Sequence, residues 1–369
     1  MSFVSTQHIA PAPPPPDESG WAARARRLLF SSPASAAVTV ALGVLLAWFG
    51  WKLLRWGVLD AVVGAGDAAL QACRGEGAGA CWAVIGEKHR LILFGIYPYA
   101  EQWRAAAAMG VLAVMYVLSA LPRFWNWRLA VAWGVALAVF SLLMWGGVPG
   151  LPFVPDDQWG GLPVTLILAT LGLAAGFPLA VLLALLRHSG RNGVAKSLAV
   201  AYIEVTRSVP LLAVLFLASV MIPLFLPQGM ELSKLFRVFV AFALFTAAYL
   251  AEVVRGGLQA VPRGQAEAAA ALGLTPAVVT LRVVLPQALR AVLPALVNVF
   301  IAFFKATSIV VVVGIFDLMT AAKRAAADAQ WQGFGTEIYL FVAAIYFVFC
   351  YAMSRYSERL QARGVGAVR

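Results

Sequence analysis

Apolar residues fall into eight long runs, at about residues 34–56, 105–121, 129–145, 161–186, 211–226, 236–254, 291–316 and 338–353. Each comes close to the roughly twenty apolar positions that a helix needs to cross a bilayer. The fifth run follows a shorter helical stretch that starts near Lys196. The pattern predicts an all-α polytopic membrane protein with about eight transmembrane helices. Polar segments of very different length separate the runs, and the one at 255–287 has the strongest internal grammar.

That segment opens with Arg255-Gly256-Gly257 and reaches Pro262, which suits a helix start because the first helical position needs no amide donor. Gln265 to Leu272 are mostly Ala, Glu and Gln, all good helix formers. Glu267 lies in the first turn, where the positive end of the helix dipole favours a carboxylate. Gly273 is placed to stop the helix. Thr275 and Pro276 then supply an N-cap and a first helical residue. A second short helix carries Val278, Val279 and Leu281, with Arg282 near its end, and Leu285-Pro286 is expected to break it. The prediction is a helix-turn-helix outside the bilayer, with an Ala- and Gly-rich surface that another backbone can approach. A helical hairpin that only reverses the chain between two spans fits the same pattern.

Composition agrees with a membrane chain: 62% of residues are hydrophobic, 12% are charged, and the mean hydropathy is +0.84. The net charge of +11 does not form a patch of the kind that binds nucleic acid. The basic residues are scattered at the ends of apolar runs, as positive-inside topology requires. Of the 28 Lys and Arg, 17 fall in segments assigned inside, 10 outside, and Lys305 lies within the membrane. This bias puts both termini and the 255–287 loop in the cytoplasm. Three cysteines and three distant histidines (His8, His89, His188) show no metal-ligand spacing, so no metal site is expected.

Along the chain, residues 1–30 hold Pro11, Pro13 to Pro16, then Arg24, Arg26 and Arg27. They predict a disordered cytoplasmic tail and not a cleaved signal peptide. Residues 31–159 carry three spans and an external loop at about 60–104, which contains Cys73 and Cys81. These two can form a disulfide if the loop faces an oxidising compartment, or remain two thiols; spacing alone leaves both open. Residues 160–359 hold the other five spans. Within them, Arg187-His188-Ser189-Gly190-Arg191-Asn192 marks a cytoplasmic turn, and residues 360–369 form a basic tail. Trp48, Trp51, Trp56, Trp103, Trp125 and Trp127 sit near span ends as an interfacial belt.

Glu267-Ala268-Ala269, three residues, Gly273, nine residues, then Val283-x-Leu285-Pro286 resembles the EAA loop of ABC importer permeases, with Val283 where that family prefers Ile. In that family the loop is the coupling helix that docks on a cytoplasmic ATPase. From Gly160 onward the chain is similar to the amino-acid branch. Gly160-Gly161-Leu162-Pro163-Val164-Thr165-Leu166 looks like its opening segment, and Glu204-x-x-Arg207 with Pro210-Leu211-Leu212 resembles its E-x-x-R-x-x-P-L-L segment. Glu252-x-x-Arg255-Gly256 leads into the loop, and Lys305-Ala306-Thr307-Ser308 looks like K-D-[TS]-S with Ala306 in place of Asp. The resemblance implies a five-helix type I importer core preceded by a three-helix extension. The long extension itself resembles membrane components of broad-specificity L-amino-acid importers.

On this resemblance Glu267, Ala268, Ala269, Gly273, Leu285 and Pro286 are the ATPase-coupling residues, and Lys305, Thr307 and Ser308 line the substrate path. An intramembrane lysine is costly and faces a cavity or a partner. Its ammonium suits a substrate carboxylate, or else a permanent carboxylate partner that only orders the bundle. Glu204 with Arg207 and Glu252 with Arg255 share helix faces at i,i+3 and are supporting pairs, either of small private value or part of a network that steers the loop. Pro178, Pro210 and Pro294 lie in or beside spans as kinks.

No G-x-x-x-x-G-K-[ST] loop occurs. The resemblance therefore implies a separate P-loop ATPase dimer, which carries the ATP and Mg, with no cofactor in this chain. It also implies a second homologous permease or a second copy, a periplasmic amino-acid-binding protein, a surrounding lipid bilayer and no nucleic acid. The expected location is the bacterial inner membrane. The alternative is an ion-gradient-driven secondary transporter of small polar solutes, which accounts for Lys305 and the broken helices but not for the EAA spacing.

Overall fold

A computed structural model of the chain describes residues 20–188, 193–227 and 229–365. The proline run and Ser189-Gly190-Arg191-Asn192 lie outside the described residues, as does the end of the basic tail at 366–369. The regular elements of the described residues are all helices, and three isolated bridges lie in the segments between them. They divide into two compact units, Met1–Ala83 and Val84–Arg369.

In the first unit, α1 (Trp21–Leu29) is helical where the composition predicted a disordered tail. Past the prolines, Ala, Arg and Leu favour helix and no breaker intervenes. α2 (Pro33–Leu54) opens with a reciprocal capping box between Ser32 and Ser35. α3 (Gly66–Cys73) follows, and Cys73 is joined to Cys81 with Cα atoms 5.4 Å apart, which settles the two cysteines as a disulfide. Trp82 donates its indole N–H to the Gly57 carbonyl at 2.8 Å, so the cross-linked loop folds back on the end of α2.

The second unit begins with α4 (Ala83–Phe94), then the pair α5 (Gln102–Ala120) and α6 (Trp127–Trp145). Arg104 is fully buried. It donates to the carbonyls of Leu143 (2.8 Å) and Pro152 (2.9 Å) and pairs with Glu101, so one side chain ties α5 to α6 and to the loop after it. The chain after α4 presses directly on the start of the next span. Gly95 has φ +62, and a side chain there would lie 2.6 Å from Gly160, so only glycine permits the approach. Lys88 on α4 pairs with Asp328 near the far end of the sequence at 2.8 Å.

α7 (Gly161–His188) and α11 (Lys234–Ala260) are the central pair. Small residues let them meet closely: a Cβ on Gly172 would strike the Phe242 ring, and one on Gly176 would lie 3.0 Å from the Ala243 carbonyl. The buried core runs from here through Ala180, Leu183, Ala247, Leu250, Ala251, Val254 and Leu258.

Between them, the fifth predicted span is broken. α8 (Gly193–Ser208) is followed after Pro210 by α9 (Leu211–Phe216), a wide turn at Leu217–Met221 and α10 (Ile222–Phe225), with a 102° bend. Pro210 holds an extended backbone with ψ 139, and it lacks the amide that would continue α8. Among the described residues seven helices are long and apolar enough to cross a membrane, eight with the bent pair taken as one span.

α12 (Arg263–Ala271), α13 (Pro276–Val278) and α14 (Leu285–Ala291) form the loop. Pro286 does not break the helix as expected. It sits in the first turn of α14, where no amide is needed, directly after a wide i→i+5 turn at Val279–Val284 that gives the ring room. The next span runs as α15 (Leu293–Ala306) and then narrows to a 3-10 turn over Thr307–Val313, ended by Gly314 at φ +71. α16 (Leu318–Ala326) and α17 (Gly335–Val365) complete the unit.

Candidate coupling site and translocation path

The coupling loop is a self-contained hairpin. α12 ends in a Schellman turn: the Gly273 amide donates to the Ala270 carbonyl at 2.9 Å and the Leu274 amide to the Ala269 carbonyl at 3.3 Å. Gly273 adopts φ +78, the left-handed conformation in which a side chain is disfavoured. A Cβ there would meet nothing within 4 Å, so the glycine serves the turn and leaves the surface above it open. Ala269 and Val279 are buried between the two helices, and Gln287 donates to Gln265 at 3.3 Å across them.

Of the six coupling residues, Glu267, Ala268, Gly273 and Pro286 are exposed, Ala269 is buried and Leu285 is half-buried. Leu272 is 82% exposed and Leu281 55%, beside a polar loop and not within a long apolar span. Large apolar side chains left open on such a loop mark a contact surface.

The loop is attached to α11 by close packing. A Cβ on Gly257 would lie 2.6 Å from the Ala288 carbonyl, so α11 and α14 touch backbone to backbone. Two turns before the end of α11 lies the ionic network. Glu252 accepts from Arg255 Nε at 2.9 Å and also pairs with Arg255 Nη2. Its other oxygen lies 3.3 Å from Arg187 on α7 and 4.0 Å from Arg207 on α8.

The expected Glu204–Arg207 pair does not form. Glu204 instead takes Arg187 at 2.9 Å, while the Arg207 guanidinium stands 5.7 Å over the Tyr249 ring. The i,i+3 spacing put both groups on one face, but the neighbouring helix offered each a better partner. Arg187 therefore joins α7, α8 and α11, and sequence spacing gave no signal for it beyond its place at the end of an apolar run. Single pairs of this exposure contribute about 0–1 kcal/mol each, so the network acts mainly by fixing geometry.

Lys305 stands apart from these groups, in the last turn of α15. It is exposed and has no carboxylate within 4.0 Å among the described residues. The bundle-ordering alternative therefore has no carboxylate partner among the described residues. Thr307 is buried and donates to the Phe304 carbonyl at 2.8 Å, and Ser308 donates to the Lys305 carbonyl at 2.8 Å. Both hydroxyls thus satisfy helix-end carbonyls where α15 changes to the tighter 3-10 turn.

A further constraint that the motifs did not reveal is Asp317. It is fully buried and caps α16, accepting from the amides of Met319 (3.2 Å) and Thr320 (2.9 Å) and the Thr320 hydroxyl (2.6 Å). Burial pushes its carboxyl above the usual carboxylate range, and these hydrogen bonds act against that rise. Thr165 in α7 accepts the Leu318 amide at 3.0 Å, which pins the start of α7 to α16. Among the described residues no group of His, Cys, Asp and Glu is arranged to hold a metal.

Residues 176–364 match the family model described as binding-protein-dependent transport system inner membrane component. The inner membrane amino-acid ABC transporter permease protein YhdY of Escherichia coli (strain K12) is 42% identical over 92% of this chain and 91% of its own. The glutamate/glutamine/aspartate/asparagine transport system permease protein BztC of Rhodobacter capsulatus is 35% identical over 98% of each. Among solved structures, a chain of an amino acid ABC transporter crystallised with histidines aligns with 55% of this chain and 92% of its own, at 37% identity and TM-score 0.49.

Proposed function

The chain belongs to the binding-protein-dependent transport system inner membrane components, and on that footing we propose that it translocates polar L-amino acids in an ATP-driven importer. It is a multi-pass inner-membrane permease of the ABC type. The amino-acid substrate is supported by two relatives, named as amino-acid permeases, whose similarity spans the extension as well as the core.

The observation that carries the mechanism is the open, glycine-capped hairpin at 263–291. Its exposed Leu272 and Leu281 are the surface for a separate ATPase dimer, which binds the nucleotide and Mg. On the distribution of Lys and Arg along the chain, the hairpin and both termini face the cytoplasm. A homologous permease or a second copy completes the membrane part, and a periplasmic binding protein delivers the substrate.

Closure of the ATPase dimer moves the hairpin as a unit. The Gly257–Ala288 contact passes that displacement to α11, and the Glu252 network passes it on to α7 and α8. The break at Pro210 lets the segment beyond α8 change angle without unfolding it. Binding energy drives this change only by its difference between the two access states. Lys305, on the path, holds the substrate carboxylate, since no carboxylate of the described residues claims it.

The test is uptake of labelled glutamine or glutamate into proteoliposomes containing the purified complex and its binding protein. ATP-dependent uptake that survives an ionophore supports the proposal. Uptake that needs an ion gradient and ignores ATP refutes it.

A further inference from the structure

Beyond the transport role, three spans of the second unit enclose a small aromatic pocket that the coupling mechanism does not use. It has a volume of about 120 Å³ and lies between α6, α7, the start of α11 and the short turn Asp156–Gln158. Five aromatic side chains line it: Phe140 and Trp145 on α6, Trp159 just after the turn, and Phe236 and Phe239 on α11. Trp159 meets Trp145 at 4.8 Å with planes 49° apart, and Phe140 at 6.4 Å with planes 78° apart. The rings thus stand as inclined walls and not as a flat stack. Asp156, Ser141 and Ser233 supply the polar groups, and no Lys or Arg lines the pocket.

Asp156 is half-buried and makes no ion pair among the described residues. The neighbouring cation Lys234 turns elsewhere: its Nζ would lie 3.1 Å from a Cβ on Gly314, and neither residue lines the pocket. Ser233 already accepts the Phe236 amide at 3.2 Å as the cap of α11. The acceptors left for a ligand are the Asp156 carboxylate and the Ser141 hydroxyl, set among aromatic rings whose faces attract a cation. Trp145 is 41% exposed and Phe236 49%, so the pocket opens on the span surface that a bilayer covers. α6 ends at Trp145 and α11 begins at Lys234, which sets the opening near the membrane surface opposite the coupling hairpin, at the depth of lipid headgroups.

We propose that this pocket binds the ammonium of an ethanolamine phospholipid from the leaflet opposite the hairpin, with the charge held between Asp156 and the aromatic rings. The volume equals that of about four water molecules, at about 30 Å³ each, and suits a group as small as ethanolamine. A primary ammonium carries three donors, which Asp156 and Ser141 accept; a trimethylammonium carries none. A headgroup with a phosphate and no amine meets only the Asp156 carboxylate and is repelled. An amino acid also carries a primary ammonium, but it has no acyl chains for the apolar span surface around the opening. The bound headgroup braces α6 of the extension against α7 and α11 of the transport core.

The test uses the full complex in nanodiscs of equal phosphatidylethanolamine, phosphatidylcholine and phosphatidylglycerol, released for native mass spectrometry. The wild type should retain phosphatidylethanolamine in preference to both others. Asp156→Asn should reduce that retention about tenfold, the loss of a hydrogen bond between charged groups. Trp145→Leu, which keeps an apolar wall but removes a ring, should reduce it about fivefold. Asp157→Asn, on the exposed neighbour that does not line the pocket, should leave it unchanged. Asp156→Asn preserves shape at a half-buried position, so the variant is expected to fold, and an unaltered melting temperature in detergent checks this. Equal retention of phosphatidylethanolamine and phosphatidylcholine, or no change in Asp156→Asn or Trp145→Leu, overturns the proposal. Displacement of phosphatidylethanolamine by glutamine at matched ionic strength would show a pocket for a soluble amino acid and overturn the lipid assignment.

Discussion

Replacing Gly273 by alanine, asparagine and leucine separates the two services of that residue, its backbone conformation and its lack of a side chain. At φ +78 any L-residue meets a conformational cost of about 1–2 kcal/mol, smaller for asparagine. The Schellman bonds from Gly273 to Ala270 and from Leu274 to Ala269 depend on that conformation. Gly273→Ala should therefore shift the turn toward an open form by a factor of about 5–30. Among the described residues nothing lies within 4 Å of an added Cβ, so alanine and leucine share the same backbone strain here. Any further loss in Gly273→Leu is a clash with whatever covers the turn. Two assays read this out: binding-protein-stimulated ATP hydrolysis in proteoliposomes, and the amount of ATPase that copurifies. The expected order is wild type, Asn, Ala, Leu, with the melting temperature of the isolated permease nearly constant because the turn is exposed. Full coupling in Gly273→Ala would refute the conformational role, and Leu behaving like Ala would refute close approach of a partner.

Gly257→Leu should destabilise the permease by about 1–3 kcal/mol, because even its Cβ would lie 2.6 Å from the Ala288 carbonyl; a melting shift in detergent checks this, together with coupled ATP hydrolysis. A double-mutant cycle on Arg187→Ala and Glu204→Ala should give a coupling energy of no more than about 1 kcal/mol, since Glu204 is half exposed. Cys73 and Cys81 should react with a membrane-impermeant maleimide in spheroplasts only after reduction, and their double replacement by serine should cost about 2.5 kcal/mol by the loop-closure estimate. The Lys88 ammonium beside Asp328 holds that carboxyl below its usual range, so the stabilisation is present above the ordinary carboxylate pKa and fades as pH falls through the lowered one. Hydrogen exchange around Asp328 should accordingly rise in acid, and Lys88→Met should remove that dependence.

Much of the coupling hairpin was legible in the chain because its signals are local. Gly273 and Pro276 act through their own backbone geometry, and the end of α12 and the start of α13 follow them. Pro262, however, stands one residue before the helix and not in its first turn, Glu267 falls beyond the first turn, and the Thr275 side chain makes no cap bond. The spans were legible because hydrocarbon thickness fixes their length. What escaped depends on neighbours. Pro286 is a breaker by propensity, yet the wide turn ahead of it admits the ring. Glu204 and Arg207 share a face, but Arg187 from α7 and Glu252 from α11 decide their partners. Pro210 was read as a kink, whereas the chain turns by 102° there. The bolts between extension and core, Gly95 on Gly160 and Lys88 on Asp328, join positions far apart in sequence and leave no periodic trace. Of the substrate path, Lys305 stood out as a charge in an apolar run, but the engagement of Thr307 and Ser308 with helix-end carbonyls follows from the change of helix type after Ala306.

The most direct test of the central claim is a photo-crosslinking residue placed at Leu272, in tagged protein purified in mild detergent from its own host and followed by mass spectrometry. Leu272 is the most exposed leucine of the hairpin, so a docked subunit must lie within reach of it. The expected result is one dominant crosslink to a P-loop ATPase, lost in Gly273→Leu. A hairpin that crosslinks only to lipid or to its own chain, in a preparation still active in uptake, would contradict the account.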